Sequence, residues 1–406
     1  MFASRSQAVV VILETIELRR VELELTEPVR TSTGTHAARP VLMVRVMGPE
    51  SEGFGECAAL LEPTYTEEYL DGAEQVLSEH LIPRLLAKAR LPARCLSPCE
   101  PAGAHHGASD DETGTSHPAD ISAAALSGIL RDVKGHAMAR AALEMAILDA
   151  DLSREGTSLA ELLGGTRTHV DAGVTVGIAA SPEALVDRVR LHVERGYRKV
   201  KVKIAPGWDV RPLSAVREAF PDLALSADAN ESFTSMDIGA LCRLDPLGLL
   251  VLEQPFDRWD LVSHAALAKA MTTPIGLDES IPTLDALETA HELGACDAVC
   301  VKPHRVGGYL AAKQIHDACT SAGISIWCGG MFETSFARAA ALALASLPGF
   351  NMPSDLAASD RYFTTDIAAP HTLQDGTMAV PTSRGVGRQV DLETVRRLTS
   401  RIRCFS

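Results

Sequence analysis

The 406-residue sequence predicts an α/β protein, a (β/α)7β modified TIM barrel that follows an α+β N-terminal capping domain. The main observation is a series of charged residues in steps of 25, 25, 25 and 24: Lys203, Asp228, Glu253, Asp278 and Lys302. Each stands at or just after the end of a short apolar run. One strand, loop and helix of a parallel β/α unit take roughly 25 residues, so successive units would deliver these side chains to the same end of a barrel. That end carries the catalytic groups of such barrels.

The second observation is the alternation of strand and helix patterns from residue 171 onward, which is typical of a β/α barrel. Helical patterns such as PEALVDRVRLHVERG fill the gaps between apolar runs. We assign the barrel to residues 151–369. Its predicted strands are 172–178, 199–204, 223–228, 249–253, 274–277, 297–302 and 324–328, with an eighth at 350–353.

The predicted capping domain covers residues 12–150. Two alternating stretches within 12–47 flank a polar turn, which indicates antiparallel strands. A third strand ends at residues 53–57, and helical patterns follow at 65–90 and 136–153. The longer helix would place Ala142, Met145, Ala146 and Asp149 on its core face.

Three further segments lie outside these two domains. Residues 1–11 are predicted to be an N-terminal extension, and 370–406, with a short alternating piece and a basic helical tail, to return to the capping domain. Residues 98–121 are rich in Gly, Ser, Pro, Asp and His, so we expect a flexible surface insertion without a role in chemistry. The alternative is that its histidines organise a metal or an oligomer contact: His105, His106 and His117.

The bulk composition narrows the function. A net charge of −15 argues against a nucleic-acid partner, because phosphate requires a basic face. No apolar run approaches the roughly 18 residues of a membrane span. The nine cysteines form no disulfide framework, which favours a reducing cytoplasm. We therefore expect a cytoplasmic protein, a homo-oligomer, whose partner is a small molecule.

Asp228, Glu253 and Asp278 form an oxygen-only set of candidate metal ligands. Mg²⁺ prefers a few carboxylates and leaves positions for substrate oxygens, whereas the lack of His or Cys argues against zinc. Each residue taken singly could be a polar strand end that caps a helix. Glu279 is adjacent to Asp278 and could share its role, but side-chain alternation along a strand makes it the weaker candidate.

Lys199, Lys201 and Lys203 alternate along one predicted strand, so all three side chains would point into the barrel. Unpaired lysines are unfavourable there unless a metal and carboxylates lie nearby. A lysine crowded by other cations has a depressed pKa and can act as a base near neutral pH. Lys302 comes from a strand nearly opposite. It and Lys203 could take and return a proton on either face of a bound substrate.

These residues stand in motifs that resemble the muconate-lactonizing subgroup of the enolase superfamily. The motifs are Lys201-Val-Lys203, Asp228-Ala-Asn230, Glu253-Gln-Pro255, Asp278-Glu-Ser280 and Lys302-Pro-His-Arg-Val-Gly-Gly308. Longer stretches are similar to the o-succinylbenzoate synthase / N-acylamino acid racemase family: KVKIAPGWD, TPIGLDESI, KPHRVGGYLAA, IWCGGMFETSFARAAALALASLPGF and ASDRYF. The resemblance covers about residues 12 to 390, apart from the insertion.

The resemblance implies that Asp228, Glu253 and Asp278 bind Mg²⁺, for which Mn²⁺ or Co²⁺ can substitute. It implies that Lys203 and Lys302 are the acid/base pair. Lys201 would support Lys203 electrostatically, and two loops at 30–34 and 55–56 would close over the substrate. The residues implied to contact the substrate are Thr175, Asn230, Arg305, Gly329, Gly330 and Met331.

The implied chemistry is removal of a proton α to a metal-bound carboxylate through an enediolate. The outcome is either racemisation of an N-acylamino acid, such as an N-succinylamino acid, or the dehydration that forms o-succinylbenzoate in menaquinone biosynthesis. Arg305 favours racemisation, because it matches family members that have this activity. His304 is a departure, since the family more often has a small residue there, and substrate fit near Lys302 could differ.

Other activities stay open as alternatives: a cycloisomerase, a dipeptide epimerase or a non-catalytic barrel. A mandelate-type enzyme would need a histidine where this sequence has Trp327-Cys328-Gly329. A dipeptide epimerase would need an Asp-x-Asp pair near the eighth strand, and residues 353–357 lack it. The complete set of lysines and carboxylates argues against a barrel without catalysis.

Overall fold

The computed structural model describes residues 11–30, 35–89 and 120–406. Most of the predicted N-terminal extension, the predicted closing loop at 31–34 and nearly all of the predicted insertion 98–121, with its three histidines, lie outside the described residues.

Strands and helices alternate through most of the chain. The strands are β1 Val11–Ile12, β2 Thr15–Val21, β3 Glu24–Arg30, β4 Thr35–Ala38, β5 Val41–Met47, β6 Glu52–Cys57, β7 Asp120–Ile121, β8 His169–Asp171, β9 Gly173–Val176, β10 Lys199–Lys203, β11 Ala224–Asp228, β12 Leu252–Glu253, β13 Ile275–Leu277, β14 Ala298–Val301, β15 Ser325–Cys328, β16 Thr377–Ala379 and β17 Thr399–Phe405. The helices are α1 Leu70–Val76, α2 Ile82–Ala89, α3 Leu126–Ile129, α4 Ala137–Glu155, α5 Leu159–Leu163, α6 Pro182–Glu194, α7 Val210–Ala219, α8 Ile238–Leu241, α9 Leu261–Ala270, α10 Leu284–Leu293, α11 Pro303–Val306, α12 Tyr309–Ala322, α13 Ser335–Ala345 and α14 Leu392–Leu398.

Seven parallel strands, β9 to β15, form one sheet in sequence order, which confirms the predicted barrel strands. Helices α6, α7, α8, α9, α10, α12 and α13 follow the seven strands in turn. The register pairs Lys203 with Asp228 and Asp228 with Glu253. These three residues therefore lie side by side at the carboxyl edge of the sheet, as their spacing predicts.

The eighth predicted strand, 350–353, is not a strand in the structure, although its position closes the barrel. The Met352 amide donates to the Ile326 carbonyl at 3.2 Å, and the Asp355 amide to the Cys328 carbonyl at 2.9 Å. On the other side, the Ser354 amide donates to the Asp171 carbonyl at 3.1 Å. Pro353 has no N–H and interrupts the ladder. No helix follows this segment, since residues 356–376 contain one 3₁₀ turn at Ser359–Arg361 and are otherwise irregular.

The cap is a four-stranded antiparallel sheet in the order β17-β2-β5-β6, with α4 packed on β6. The predicted hairpin pattern at 12–47 corresponds to β2 and β5, with the β3-β4 pair between them. The predicted basic helical tail is wrong in its last part, because helix α14 ends at Leu398 and β17 follows. Thr399 and Ile402 are β-branched, and the backbone of β17 hydrogen-bonds to β2.

Helix α4 confirms the long helix predicted near 136–153 and its core face. Asp149 on that face is buried and accepts from the Phe54 and Val386 amides, both at 2.9 Å. Burial raises the pKa of Asp149 to about 7 despite these bonds. The carboxylate thus ties α4 to the cap sheet and to the chain beyond the barrel. No helix of the described residues is long and apolar enough to cross a membrane.

We expect Gly55→Ala to destabilise the cap, because β6 approaches α4 too closely for a side chain. A Cβ at Gly55 would lie 2.0 Å from the Ala142 carbonyl oxygen and 2.9 Å from the Ala146 nitrogen. These are backbone atoms that cannot rotate away, so the free energy of unfolding in urea should fall by about 3 kcal/mol. Gly128→Ala in α3 is the control, since nothing lies within 4 Å of its Cβ position. Equal stability of the two variants would contradict this packing.

Candidate active site

A cavity of about 960 Å³ opens between the carboxyl ends of the barrel strands and the cap. Lys201, Lys203, Asp228 and Lys302 line its barrel side, and Tyr65 lines its cap side. Lys203 and Tyr65 are half-buried, whereas the other three are buried. The structure therefore brings both predicted lysine bases and one predicted metal ligand to a single cavity.

Lys201 joins several carboxylates beneath the cavity. Its ammonium lies 2.8 Å from Glu253 Oε2, 2.7 Å from Asp355 Oδ2 and 3.2 Å from Asp228 Oδ2. Lys199 on the same strand contacts Asp355 Oδ1 at 2.8 Å. The predicted inward face of β10 is confirmed, and one ammonium brings Asp228 and Glu253 close together.

The charges of this network stabilise one another. Burial opposes the charge on Lys201, but Asp355, Glu253 and Asp228 outweigh it and raise the pKa of Lys201 well above its usual value. Burial likewise opposes the charge on Asp228, yet Lys203 and Lys201 lower its pKa to about 2. The neighbouring lysines therefore do not depress the pKa of Lys201, because carboxylates surround its ammonium.

Lys302 stands on the opposite side and is held by Asp278. Its ammonium lies 2.6 Å from Asp278 Oδ2 and 3.1 Å from the Tyr65 hydroxyl, and 4.5 Å from the centroid of the Tyr65 ring. Arg305 also pairs with Asp278 and donates to the carbonyl oxygens of Cys300 at 2.6 Å and Ile281 at 3.1 Å. Burial opposes the charge on Lys302, but the surrounding groups raise its pKa well above the usual value.

Lys203 forms the other half of the pair. Its ammonium lies 2.7 Å from Asp228 Oδ2 and also donates to the Asn230 side-chain oxygen. The Asn230 amide nitrogen donates to Glu279 Oε1 at 3.0 Å. Asn230 has a φ of +41°, a strained value for a residue other than glycine. The backbone after β11 is thus bent so that Asn230 meets both Lys203 and Glu279.

Glu279, which the alternation argument made the weaker candidate ligand, lines the cavity, whereas Asp278 is buried outside the lining. Strand β13 ends at Leu277, so alternation does not extend to residues 278 and 279. Glu279 Oε2 is buried and has no hydrogen-bond partner among the described residues. Burial, followed by the charge of Asp228, raises the pKa of Glu279 to about 7.

The donor set fits a hard divalent cation. Asp228 and Glu279 line the cavity, Glu253 and Asp278 are buried outside its lining, and Glu253 Oε1 and Glu279 Oε2 lack hydrogen-bond partners within the part of the chain that the structure describes. Unpaired buried carboxylate oxygens are unfavourable, and an oxygen-seeking cation would satisfy them. Asp228, Glu253, Asp278 and Glu279 therefore suit Mg²⁺.

A second group of possible ligand atoms is Glu253, Cys300 and Asp355, which lie within 4.8 Å of one another. Burial raises the pKa of the Cys300 thiol well above its usual value, so the thiolate that a soft metal requires is disfavoured. Lys201 already contacts both carboxylates of this group. The donor chemistry of this group therefore suits a hard cation less well than that of the oxygen-only set.

Of the six residues implied to contact the substrate, four line the cavity and two do not. Thr175, Asn230, Gly330 and Met331 line the cavity. Gly329 lies below them, where a Cβ would come within 2.7 Å of Lys302 side-chain atoms. Arg305 is buried with its guanidinium on Asp278, so contact with substrate stays a prediction for it.

Two other predicted features are buried away from the cavity lining. His304 packs edge-on against Tyr309, and burial, with the charges of Arg39 and Arg338, lowers the pKa of His304 to about 4. The loop predicted at 55–56 is wrong, because both residues belong to strand β6, where Glu56 accepts hydrogen bonds from the Thr334 backbone N–H at 3.2 Å and from the Thr334 hydroxyl. Glu56 therefore fastens the cap to the loop that follows β15.

Sequence reasoning missed Tyr65, Gln254 and Asp355. Gln254 has a φ of +40°. Its side-chain oxygen accepts a hydrogen bond from the Asp278 backbone N–H at 3.0 Å and so holds the backbone of Asp278 in place. Asp355 stands 53 residues after Lys302, about two further β/α steps, so the same spacing could have found it. Tyr65 lies in an irregular cap loop, and no sequence pattern places it on Lys302.

We expect Tyr65→Phe to alter the titration of Lys302. The variant keeps the ring over the ammonium but removes the hydroxyl that accepts from it at 3.1 Å. The ammonium loses a hydrogen-bond partner, which lowers the pKa of Lys302. The acidic limb of the kcat/KM pH profile should therefore move to lower pH by about half to one unit. Tyr69→Phe is the control, since Tyr69 is exposed. An unchanged profile in Tyr65→Phe would contradict this contact.

The sequence is similar to one described protein family and to several named enzymes. The family described as enolase C-terminal domain-like matches residues 184–395. An N-succinylamino acid racemase from an Amycolatopsis species is 46% identical over 92% of this chain and 94% of its own length. An o-succinylbenzoate synthase from Geobacillus kaustophilus is 38% identical over 97% of both chains. An N-succinylamino acid racemase from Thermus thermophilus is 39% identical over 95% of this chain and 97% of its own.

Solved structures agree over the whole fold. An enolase-superfamily member from Listeria innocua matches with a TM-score of 0.86 and 34% identity, over 97% of this chain and 98% of its own. A protein from Alicyclobacillus acidocaldarius, described as a probable mandelate racemase, matches with a TM-score of 0.85 and 37% identity, over 97% and 99%. The predicted barrel with an N-terminal cap is confirmed.

Proposed function

This chain belongs to the enolase superfamily, and we propose that it is a Mg²⁺-dependent N-succinylamino acid racemase whose site also suits o-succinylbenzoate synthesis. The observation that carries the proposal is the placement of Lys203 and Lys302. Each lies on one side of the cavity, and each is held by a different carboxylate, Asp228 or Asp278. Relatives named for one or the other of these two activities are 38–46% identical to this chain over nearly its full length.

The proposed reaction begins with removal of the proton α to the substrate carboxylate. Asp228, Glu253 and Asp278 would hold Mg²⁺, with Glu279 beside them. When bound, Mg²⁺ supplies positive charge that stabilises the negative charge developing on that carboxylate. The buried unpaired oxygens of Glu253 and Glu279 support this assignment.

The lysines then decide the stereochemistry. Lys203 and Lys302 each contact a carboxylate, Asp228 or Asp278, that would also hold the cation. One lysine takes the α-proton, and the other, as an ammonium, returns a proton to the opposite face. Lys201, whose ammonium faces Asp228, Glu253 and Asp355, stays charged, and Asp228 contacts both it and Lys203.

Racemisation and dehydration share the first step. An N-succinylamino acid would regain a proton, whereas the synthase substrate would lose water from the same intermediate. The role in menaquinone biosynthesis, the cytoplasmic location and the oligomeric state stay predictions from the sequence.

The proposal is tested by incubating the enzyme with Mg²⁺ and N-succinyl-L-phenylalanine in D₂O. We expect the optical rotation to decay to zero while deuterium replaces the α-proton in the NMR spectrum. A dehydration assay with the synthase substrate, followed by absorbance, measures the second activity. Absence of α-proton exchange with any N-succinylamino acid and of dehydration would favour a barrel without catalysis.

A further inference from the structure

A loop of the cap, residues 60–69, reaches the barrel on the Lys302 side of the cavity. Four residues of this loop line the cavity: Leu60, Leu61, Thr64 and Tyr65. The two ends of the loop meet, because the Leu70 backbone N–H donates to the Leu60 carbonyl at 2.7 Å. The base of the loop is therefore fastened within the cap, whereas the position of its tip depends on contacts with the barrel.

Tyr65 at the tip meets the barrel at two points. Its hydroxyl lies 3.1 Å from the Lys302 ammonium. Its backbone carbonyl accepts a hydrogen bond from Arg258 Nη2 at 2.8 Å. Arg258 follows β12 and stands behind the cavity lining, so it has no direct place in the proposed reaction. Its contact with Tyr65 nevertheless bears on where the hydroxyl lies.

Glu231 fixes the direction of the Arg258 guanidinium. Arg258 Nε donates to Glu231 Oε1 at 2.9 Å, and Nη2 donates to Oε2 at 2.7 Å. The Arg258 backbone N–H also donates to Oε1, at 2.7 Å. The side chains are 18% and 19% exposed, so this bidentate, charge-assisted pair is stronger than an ion pair in open solvent.

The backbone on both sides of this pair is held as well. Glu231 has a φ of +64°, an unfavourable value that persists where surrounding contacts enforce it, and its N–H donates to the Gln254 carbonyl at 2.9 Å. The Ser280 hydroxyl donates to the Arg258 carbonyl at 2.9 Å and accepts from the Gln254 side chain at 2.7 Å. The segments after β11, β12 and β13 together hold one guanidinium in place.

The Tyr65 carbonyl is the strongest contact between this guanidinium and the cap loop. Arg258 Nη1 also lies 3.7 Å from Glu67, but that side chain is 80% exposed and the pair contributes little. Since the barrel sets the position of the guanidinium, the carbonyl bound to it takes a defined position too. The phenol of the same residue is then carried to Lys302.

We propose that Arg258 is a positioning residue that holds the tip of loop 60–69 on the barrel and so keeps the Tyr65 hydroxyl on Lys302. Arg258 acts through Tyr65 and takes no part in proton transfer. The effect on turnover rests on the proposed function, whereas the effect on the position of the loop does not.

The position of the loop is tested by hydrogen–deuterium exchange of the resting enzyme, followed by mass spectrometry. Arg258→Met removes the barrel partner of the Tyr65 carbonyl, so the exchange rate of peptide 60–69 should rise at least about fivefold. Arg217→Met is the matched control. Arg217 also donates to backbone carbonyls, those of Leu223 and Leu247 at 2.8 Å, but at the amino ends of β11 and β12. The control should leave peptide 60–69 at the wild-type rate.

Arg258→Lys serves as a second variant if the loss of charge beside Glu231 prevents folding. Lysine keeps that charge, but a single ammonium lacks the fork that reaches both Glu231 and the Tyr65 carbonyl. We expect a wild-type circular dichroism spectrum and faster exchange of peptide 60–69 than in wild type. Exchange at the wild-type rate in the Arg258 variants that fold would overturn the inference.

The route through Tyr65 is tested by a double-mutant cycle in kcat for racemisation, at a temperature where all variants are folded. We expect Arg258→Met to lower kcat about tenfold, and Tyr65→Ala to lower it at least as much. The double variant should stay within about twofold of Tyr65→Ala, because no hydroxyl remains to be positioned. A further loss of about tenfold in the double variant would mean that Arg258 acts by another route, and would overturn the inference.

Exchange and turnover separate the two proposals. Faster exchange of peptide 60–69 in the variants, with neither racemisation nor dehydration by wild type, removes the proposed function and keeps Arg258 as the residue that holds the loop. Racemisation by wild type, with unchanged exchange of the peptide in the Arg258 variants, keeps the proposed function and removes the positioning role.

Discussion

Lys302→Ala is expected to lower the rate of racemisation by about 10³-fold or more in both directions. A positioned acid or base contributes roughly 10²–10⁴-fold, and each direction of the reaction requires both lysines. Lys302 is buried against Asp278, and the other cation on Asp278, Arg305, cannot replace it as a base because a guanidinium stays protonated. The measurement is kcat for each enantiomer by polarimetry.

Lys203→Ala should show the same loss, because Lys203 holds the other side of the cavity. Lys313→Ala is the matched control, since this half-exposed lysine pairs with Asp317 on the surface of α12. The control should retain wild-type kcat. If either active-site variant kept more than about a tenth of the wild-type rate, the lysine pair would not be the acid/base pair.

Removal of the metal is the second change with a large expected effect. Excess EDTA should abolish turnover, and added Mg²⁺ should restore it, because the developing charge on the substrate carboxylate then has no stabilising cation. Glu253→Gln should lower kcat/KM by about 10³-fold, since it removes one charged ligand. Full activity in EDTA would contradict a metal-dependent reaction.

Metal binding can be followed without activity. A ligand that binds only the folded state raises its stability, so Mg²⁺ should raise the melting temperature of wild type and much less that of Glu253→Gln. Asp285→Asn in the first turn of α10 is a matched control outside the cavity lining, and its response to Mg²⁺ should equal that of wild type. An equal Mg²⁺ shift in Glu253→Gln would place the metal elsewhere.

The charged residues at the carboxyl edge of the barrel were predictable because one of them follows each strand, at the spacing of one β/α unit. One β/α unit sets one step, so equal spacing of Lys203, Asp228 and Glu253 predicts neighbours in the sheet, and the register shows them paired. Asp355 follows the same rhythm at twice the step, just after the predicted eighth strand at 350–353, but Pro353 interrupts the ladder there and the strand does not form.

Long-range contacts were not predictable in the same way. Tyr65 reaches Lys302 across 237 residues of sequence, and only the docking of the cap on the barrel brings them together. The orientation of Arg305 toward Asp278 follows from the short helix α11 that begins at Pro303, a detail that spacing does not encode. The strand β17 was mistaken for helix because its partner, β2, lies at the other end of the chain.

The central claim is that two lysines act on opposite faces of one substrate, and isotope exchange by the single variants tests it most directly. Each variant is incubated with Mg²⁺ and either N-succinyl-L-phenylalanine or its D-enantiomer in D₂O, and loss of the α-proton signal is followed by NMR. We predict that Lys302→Ala exchanges one enantiomer, through Lys203, without inverting it, and that Lys203→Ala exchanges only the other. Exchange of both enantiomers at equal rates by either variant would contradict the two-base site.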